Sequence, residues 1–384
     1  MDCAVDDNRK RITMLTYFEQ NATPFVPFTH TKRIPEMRSG IYTAQERLQL
    51  KATLCSSSLV VSETLLDADI AAAEKDIAYT AGGEFIFALT DKPLRDLQQR
   101  EFSAFFIRAA YPWDYVNCVG ELINRDYDLF MEKNDRHALS DIPEGVTIIG
   151  DRSKLFVHTT AEIMPGVVFD TREGAIVVDA KAKIRPFTFI EGPVYVGVSS
   201  LIDGAKIRSA TSIGPVCKIA GEVENSIFHS YSNKHHDGFI GHAYIGSWVN
   251  LGAMTTNSDL KNNYGEVVVH QDPFSQIYTG AMKVGCFIGD HVKTGIGTLL
   301  TTGAVIGTGS CLFGGGMYPK HVPAFSWASS SLWDEYTIDK CIANETIVMK
   351  RRGISLDAAY EENLRRVFTI TQKDREEGKK AWER

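Results

Sequence analysis

Branched apolar residues recur at six-residue intervals through the middle of the chain. Three runs share this spacing: Val178, Ile184, Ile190, Val196 and Ile202; Leu201, Ile207, Ile213 and Ile219; and Ile288, Thr294, Leu300, Ile306 and Leu312. A period of six matches neither the 3.6 of an α-helix nor the 2 of a strand. It predicts a left-handed parallel β-helix, in which each hexapeptide forms one face of a triangular coil and points its branched residue inward. A β-sandwich with coincidental spacing is the alternative, and five positions in register within one run argue against it.

The period breaks between about Met254 and Val284, over a polar stretch of roughly 30 residues. Turns between repeats are much shorter than this, and long excursions from a repeat scaffold are usually functional. We therefore expect this excursion to lie near a site.

The residues before about Leu139 follow a different pattern. Three segments predict helices and two predict short strands: Glu46–Leu50, Asp67–Glu74 and Lys92–Phe102, then Leu59–Val61 and Phe85–Leu89. This alternation is typical of an α/β domain. At the other end, Asp357–Trp382 predicts a charged, partly amphipathic helix. The predicted organisation is an α/β domain over 1–143, a β-helix over 144–327 and a helical C-terminal tail over 328–384.

Composition narrows the class of protein. A length of 384 residues with 44% hydrophobic and 23% charged residues predicts a soluble protein of two or three domains. A net charge of −7 argues against nucleic-acid binding, and the lack of a long apolar run argues against a membrane span. The seven cysteines form no CxxC pair, which favours reduced thiols in the cytoplasm: Cys3, Cys55, Cys118, Cys217, Cys286, Cys311 and Cys341.

Several motifs carry a family resemblance that covers nearly the whole chain. The most specific lie in the repeats, and others lie near both ends: Gly221–Ser226, Tyr231–Gly241, Asn250–Ala253, Leu260–Tyr264, Pro27–Thr29, Glu36–Arg38, Gly40–Ile41, Tyr111–Asp114 and Val322–Trp327. Together they resemble a bacterial family of sugar nucleotidyltransferases with an altered N-terminal domain. That family is related to the bifunctional N-acetylglucosamine-1-phosphate uridyltransferase/glucosamine-1-phosphate acetyltransferase. The resemblance implies acetyl transfer from acetyl-CoA to an amino-sugar-1-phosphate on the β-helix.

Transfer to an amine needs a base, and the imidazole of histidine titrates near neutral pH. Three histidines cluster here, His235, His236 and His242, and the resemblance places His236 on the catalytic base. It implies further roles for three sets of residues. Asp237 and Asn263 would assist catalysis, Lys218, Lys234, Asn250 and Tyr264 would bind the substrate, and Ala253 and Gly314 would bind acetyl-CoA. This chain departs from the family's pattern at two places. Ser326–Trp327 stands where the bifunctional enzyme has an arginine that reaches CoA, and His235 stands where the family usually has a glycine.

The N-terminal half would carry nucleotidyl transfer, with UTP and Mg²⁺. Such enzymes hold phosphates on a glycine-rich loop, which this half lacks, since Ala81–Glu84 is short and predicts a turn. The resemblance substitutes a basic segment containing Lys32 and Arg38 as substrate-binding residues. Three carboxylates could hold Mg²⁺, although without diagnostic spacing: Asp67, Asp69 and Asp114.

Two other readings stay open. The chain could be a non-catalytic protein that binds a sugar nucleotide such as UDP-N-acetylglucosamine. It could also hold zinc through His236, His242 and a third histidine, as γ-class carbonic anhydrases do, the candidates being His229, His270 and His291. No other metal site is predicted. From the resemblance we expect a homotrimer with sites between subunits.

Overall fold

The computed structural model describes residues 15–18, 23–55 and 58–382, which form two compact units. The smaller unit contains 15–18 and most of 43–109, and the larger contains 23–42 and 110–382. This division differs from the predicted boundary at residue 143. Both the segment 23–42 and the helix that follows residue 110 belong to the larger unit.

The smaller unit is a mixed sheet with one helix. Helix α1 spans Ala44–Cys55, and seven strands follow in chain order: β1 Leu15–Phe18, β2 Leu59–Ser62, β3 Leu65–Ala68, β4 Ile77–Ala81, β5 Glu84–Leu89, β6 Gln98–Glu101 and β7 Phe106–Arg108. Five of them form one sheet in the order β1-β2-β5-β4-β6, and β3 pairs with β7. Its core is aromatic, with Tyr79, Phe87 and Phe102 in mutual ring contact.

Two of the three predicted N-terminal helices are wrong. The segment Asp67–Glu74 contains the end of β3 and a short 3₁₀ turn over Ile70–Ala72, and Lys92–Phe102 contains a 3₁₀ turn over Leu94–Asp96 followed by β6. The strand β6 pairs in parallel with β4 along the sheet edge. Local propensity predicted helix in both places, but pairing with the sheet satisfies the backbone there instead. The helix at Glu46–Leu50 and both predicted strands are confirmed.

The larger unit is the predicted β-helix, built from short parallel strands stacked into three faces. The first face contains Glu162–Ile163, Lys183–Ile184, Leu201–Ile202, Lys218–Ile219, Asn233–Lys234, Lys293–Thr294, Cys311–Leu312 and Ser326–Ala328, closed by antiparallel Trp333–Glu335. The second contains Thr147–Ile149, Val168–Asp170, Phe189–Glu191, Lys206–Ile207, Glu222–Glu224, Phe239–Gly241, Thr256–Asn257, Thr298–Leu300 and Gly316–Met317. The third contains Leu155–Val157, Ile176–Val178, Val194–Val196, Thr211–Ile213, Ile227–Phe228, Tyr244–Ile245, Phe287–Ile288, Val305–Ile306 and His321–Val322.

The register of these strands confirms the hexapeptide prediction. Val178, Ile184 and Ile190 fall on the third, first and second faces in turn, and all three side chains are buried in one continuous core. The second run needs one correction. Its first member, Leu201, points outward, and its neighbour Ile202 takes the inward position. This coil contains one residue fewer, so the next inward residue follows Ile202 after five positions instead of six.

The predicted break is an excursion that leaves after the second-face strand Thr256–Asn257. It contains an antiparallel pair of strands, Val268–Val269 and Ile277–Tyr278, and the next coil resumes at Phe287–Ile288. The strand Thr256–Asn257 pairs directly with Thr298–Leu300, so the coils stack without interruption beneath the excursion.

Four helices belong to the larger unit. Helix α2 spans Pro112–Asn134, and the C-terminal tail forms α3 over Ile338–Lys350, α4 over Ala358–Ile370 and α5 over Gln372–Trp382. The predicted tail helix is confirmed as α4 and α5, which meet at Thr371. Sequence pattern did not predict α3 as a separate helix. Its buried Glu345 occupies a position that periodicity assigns to an apolar residue.

The segment 23–42 lies along the third face of the β-helix. Phe28 packs on Tyr244 with ring centroids 4.5 Å apart, and Ser212 Oγ donates to the Gly40 carbonyl at 2.6 Å. Lys32 Nζ donates to both carboxylate oxygens of Asp290, at 2.6 and 2.7 Å, and the pair is almost wholly buried. The motifs at Pro27–Thr29 and Glu36–Arg38 therefore form part of the β-helical unit.

None of the helices among the described residues is long and apolar enough to cross a membrane.

Five cysteines in this part of the chain are free thiols: Cys118, Cys217, Cys286, Cys311 and Cys341. Cys3 lies outside the described residues, as does the side chain of Cys55.

The buried pair of Lys32 and Asp290 predicts a large effect on stability. Burial alone would raise the pKa of Asp290, but Lys32 and further hydrogen bonds hold it at about 2. In Lys32→Met this carboxylate stays buried without its cation, which should lower the free energy of unfolding by about 3–5 kcal/mol. Urea denaturation followed by tryptophan fluorescence measures the change. The matched control is Arg33→Met, which removes an exposed ion pair with Glu36 and should cost under about 1 kcal/mol. Equal losses in both variants would contradict the account.

Candidate functional site

Three residues named for catalysis or cofactor binding share one corner of the β-helix. The outward residues Asn233, Asn250, Lys293 and Cys311 are paired in register along the first face. The residue three positions after each one is, in order, His236, Ala253, Ile296 and Gly314. Since adjacent coils are about 4.8 Å apart, Gly314 lies roughly 14 Å along this corner from His236. The column therefore places the predicted base and the predicted cofactor contacts in one line.

A cavity of about 360 Å³ opens at this corner, and we call it the histidine cavity. It is lined by Lys218, Asn233, His235, His236, Asn250, Leu251, Gly252, Ala253 and Ile296. The structure thus brings together four of the predicted site residues: Lys218, His236, Asn250 and Ala253. Ile296, which sequence reasoning did not name, is 75% exposed and gives the cavity an apolar edge.

The two adjacent histidines differ in their surroundings. His235 Nε2 lies 3.1 Å from Asp203 Oδ2, and Asp203 also accepts from Arg185 at 3.0 Å. The exposed imidazole of His236 forms no hydrogen bond with any residue in the described part of the chain. Its backbone carbonyl, by contrast, is held by Lys234. His236 is consequently anchored through its main chain while its ring remains available to a bound molecule.

Lys234, predicted to bind substrate, instead points into the β-helix. It pairs in register with the inward Ile219 and is only 1% exposed. Its Nζ donates to the carbonyls of Ala220 and His236 at 2.9 Å each. The six-residue spacing indicates this inward position, because Lys234 lies six residues after the inward Phe228 and six residues before Ile240. Lys234 supports the corner that carries His236 and does not reach the cavity.

Three further predicted residues lie outside the lining of the histidine cavity. Asp237 is exposed at the same corner, and its charge partly offsets the fall in the pKa of Lys234 that burial causes. Asn263 and Tyr264 lie exposed on the excursion, where Asn263 Oδ1 accepts from the backbone N–H of Gly265 at 3.0 Å. That contact shapes a local turn, and it leaves the predicted catalytic role of Asn263 without a neighbour in the cavity.

The basic residues predicted to bind a nucleotide have other roles. Lys32 is paired with Asp290, as described above, and Arg38 is buried against the ring of Tyr195, 5.5 Å from its centroid. Arg38 Nη1 also donates to the carbonyl of Ile41 at 2.5 Å. Both side chains fasten the segment 23–42, so neither provides a phosphate site. Sequence pattern could not distinguish these buried cations from solvent-exposed ones.

The carboxylates proposed for Mg²⁺ are also engaged. Asp67 is fully buried and pairs with Lys51 Nζ at 2.5 Å. Asp114 Oδ2 accepts from the backbone N–H groups of Ala110 and Tyr111 at the start of α2. Asp69 also has an interaction partner. These residues do not fit a magnesium site.

The histidines required by the zinc hypothesis have separate partners. His242 Nδ1 lies 2.7 Å from Asp259, and His229 donates from Nε2 to the Glu36 carbonyl at 3.0 Å. His291 lies between Glu345 and Tyr360. Over the described ranges, no three His, Cys, Asp or Glu side chains are grouped as metal ligands.

A second cavity, of about 460 Å³, adjoins the first and was not predicted. We call it the basic cavity, and it is lined by Lys218, Tyr231, Asn233, Trp248, Val249, Asn250, Lys293, Asn344, Val348, Arg351 and Arg352. Lys218, Asn233 and Asn250 also line the histidine cavity, so the two are contiguous. Asn344, Val348, Arg351 and Arg352 come from α3 and the turn after it, and the repeat pattern gave no reason to place this helix against these coils.

Comparisons with known proteins agree with the resemblance seen in the motifs. The chain is 30% identical over 226 residues to the bifunctional protein GlmU of Bartonella quintana, which covers 56% of this chain and 45% of that protein. It is 33% identical over 153 residues to a bifunctional sugar-1-phosphate nucleotidylyltransferase/acetyltransferase of Sulfurisphaera tokodaii, covering 39% and 38%. The chain is therefore similar to GlmU proteins and spans about half the length of these relatives or less. No protein-family model matches it.

Solved structures with similar folds include LpxA from Acinetobacter baumannii, at 18% identity over 52% of this chain and 78% of that chain, with a TM-score of 0.26. The UDP-N-acetylglucosamine acyltransferase from Arabidopsis is 13% identical over 62% and 91%, with a TM-score of 0.25. The fold itself is shown by the strand register described above.

The burial of Lys234 predicts that the free energy of unfolding depends on pH. Burial lowers the pKa of Lys234 from 10.5 to about 8. Between these values the folded state binds fewer protons than the unfolded state, so the unfolding free energy should rise with pH. The rise is at most about 1.4 kcal/mol per pH unit. Lys234→Met should remove this rise in urea denaturation between pH 8 and 10.5. Identical slopes for both proteins would show that Lys234 is not desolvated as the structure indicates.

Proposed function

We propose that the chain is an acyltransferase that moves an acetyl group from acetyl-CoA to the amine of a sugar phosphate, with His236 as general base. The observation that carries this proposal is the corner column, which aligns His236 with Ala253 and Gly314 beside a cavity containing Asn250 and Lys218. The name of the Sulfurisphaera tokodaii relative supplies acetyl transfer and a sugar-1-phosphate.

The geometry supports a simple division of roles. The imidazole of His236, free of partners among the described residues, can take the proton that the amine loses as it attacks the thioester carbonyl. The backbone N–H of Ala253 has no acceptor in this part of the chain, while its carbonyl accepts from Gly297 at 2.9 Å. That N–H is available to the oxygen on which negative charge develops. As the intermediate collapses, the CoA thiolate leaves and takes up a proton, and the amide remains on the sugar.

The same corner suits a narrow, extended cofactor. Ala253 and Gly314 are small residues on a column otherwise interrupted only by Ile296, so the wall lies close to the backbone along its length. A pantetheine arm needs such a wall, because its amides must reach backbone groups. We place acetyl-CoA along this column on that basis.

We also propose that the protein assembles as a homotrimer. The second face exposes a patch of apolar side chains in which Leu299 and Met317 are paired in register, 36% and 53% exposed. Met254, 56% exposed, occupies the corner next to it, one residue beyond Ala253. Clustered exposed apolar side chains are typical of protein interfaces. Burial of this face by a second copy would enclose the histidine cavity.

Nucleotidyl transfer by the smaller unit, with UTP and Mg²⁺, stays a prediction. One relative is a bifunctional sugar-1-phosphate nucleotidylyltransferase/acetyltransferase by name, but the basic and acidic residues that the sequence offered for this reaction are engaged elsewhere. The proposal is accordingly confined to the β-helix.

His236→Ala should lower kcat for acetyl transfer to glucosamine-1-phosphate by roughly a hundredfold or more, as loss of a general base does. Release of CoA, followed with a thiol reagent, measures the rate. His235→Ala is the matched control, since it removes a neighbouring imidazole that Asp203 already holds, and we expect a much smaller loss. Equal losses in the two variants, or no loss in His236→Ala, would overturn the assignment of the base.

A further inference from the structure

The basic cavity contains a concentration of positive charge that the acyl-transfer mechanism does not use. Four cations line it: Lys218 and Lys293 from the first face, and Arg351 and Arg352 from the turn after α3. No carboxylate is among the eleven described residues of its lining. In a chain of net charge −7, such a grouping needs an explanation.

Internal ion pairs account for only one of these charges. Lys293 Nζ lies 2.8 Å from Glu345 Oε1 and also donates to the carbonyls of Trp248 and His291. Arg352 Nη2 donates at 2.8 Å to the neutral amide oxygen of Asn233. Neither Lys218 nor Arg351 has a side-chain partner among the residues that the structure describes. Three positive charges therefore face the cavity without a balancing carboxylate.

The cavity is also built to hold its shape. The Asn233 amide accepts from Arg352 and donates to Asn250 Oδ1 at 3.3 Å, which fixes both asparagines between the two cavities. Tyr231 and Trp248, which also line the cavity, stack with ring centroids 4.2 Å apart. A wall that carries guanidinium groups without carboxylate partners is suited to bidentate recognition of phosphate oxygens.

We propose that the basic cavity binds the phosphate of the acceptor, held by Lys218, Arg351 and Arg352, while the amine of the same molecule reaches His236 in the adjoining cavity. The shared wall of Lys218, Asn233 and Asn250 connects the two positions. This inference rests on the proposed function for the role of the amine, but the binding of phosphate does not depend on it. The phosphate groups of CoA are the other source of the same chemistry, and the experiment separates the two.

The first test is direct binding, which needs no turnover. Inorganic pyrophosphate and glucosamine-1-phosphate are titrated calorimetrically into the full chain and into the double variant Arg351→Gln, Arg352→Gln. Loss of two charge-assisted contacts should weaken both ligands at least about tenfold. Lys350→Gln is the matched control, because Lys350 is an exposed cation at the end of the same helix and does not line the cavity. Unchanged affinity in the double variant, or an equal loss in the control, would overturn the proposal.

The second test assigns the phosphate to its source. With acetyl transfer as the readout, the double variant should raise the KM for glucosamine-1-phosphate at least about tenfold and leave the KM for acetyl-CoA unchanged. It should also leave unphosphorylated glucosamine unaffected. A rise confined to the KM for acetyl-CoA would assign the cavity to the cofactor and overturn the proposal. The wild-type chain could lack acetyltransferase activity while the double variant still weakens ligand binding. That result would retain the phosphate site and reject the proposed function.

Discussion

The structure depends on the register with which one coil of the β-helix lies on the next. Each six-residue segment supplies inward side chains, which can be buried only if the neighbouring coils present theirs at the same height. That requirement holds Ile219, Lys234 and Leu251 in one inward ladder, and it fixes the outward residues beside them with equal precision. The corner column of His236, Ala253, Ile296 and Gly314 is a consequence of core packing. A scaffold selected for burial therefore also sets the spacing of the candidate site.

Lys234 shows how closely the core and the site are connected. Its ammonium group takes an inward position that would otherwise hold an aliphatic side chain, and the hydrogen atom of Gly221 leaves the space it needs, since a Cβ there would lie 2.6 Å from Nζ. Burying a charge is unfavourable unless hydrogen bonds compensate it, and two carbonyls at the corner do so. One of those carbonyls belongs to His236. A buried lysine thus positions the backbone of His236, whose ring is exposed.

Periodicity predicted the β-helix because inward positions tolerate few residue types and repeat at a fixed interval. The family resemblance, not this period, named His236, Ala253 and Gly314, which the register of the coils places at one corner. Prediction from sequence failed where tertiary contacts decide the outcome. Lys32 and Arg38 have the composition of a phosphate site, yet a partner more than 250 positions away in the chain, Asp290, takes the charge of Lys32. Arg351 and Arg352 were missed because nothing local indicates that α3 packs against the first face. Short strands such as β6 were mistaken for helix because pairing with the sheet outweighed local propensity.

The most direct test of the central claim is the mass of the acceptor after incubation of the wild-type chain with acetyl-CoA and glucosamine-1-phosphate. The account predicts a product heavier by one acetyl group on nitrogen, formed in step with the release of free CoA. Free CoA without an acetylated sugar phosphate would show that water is the acceptor, and no release of CoA would show that the corner column serves another purpose. Either result would contradict the assignment of the β-helix as an acetyltransferase.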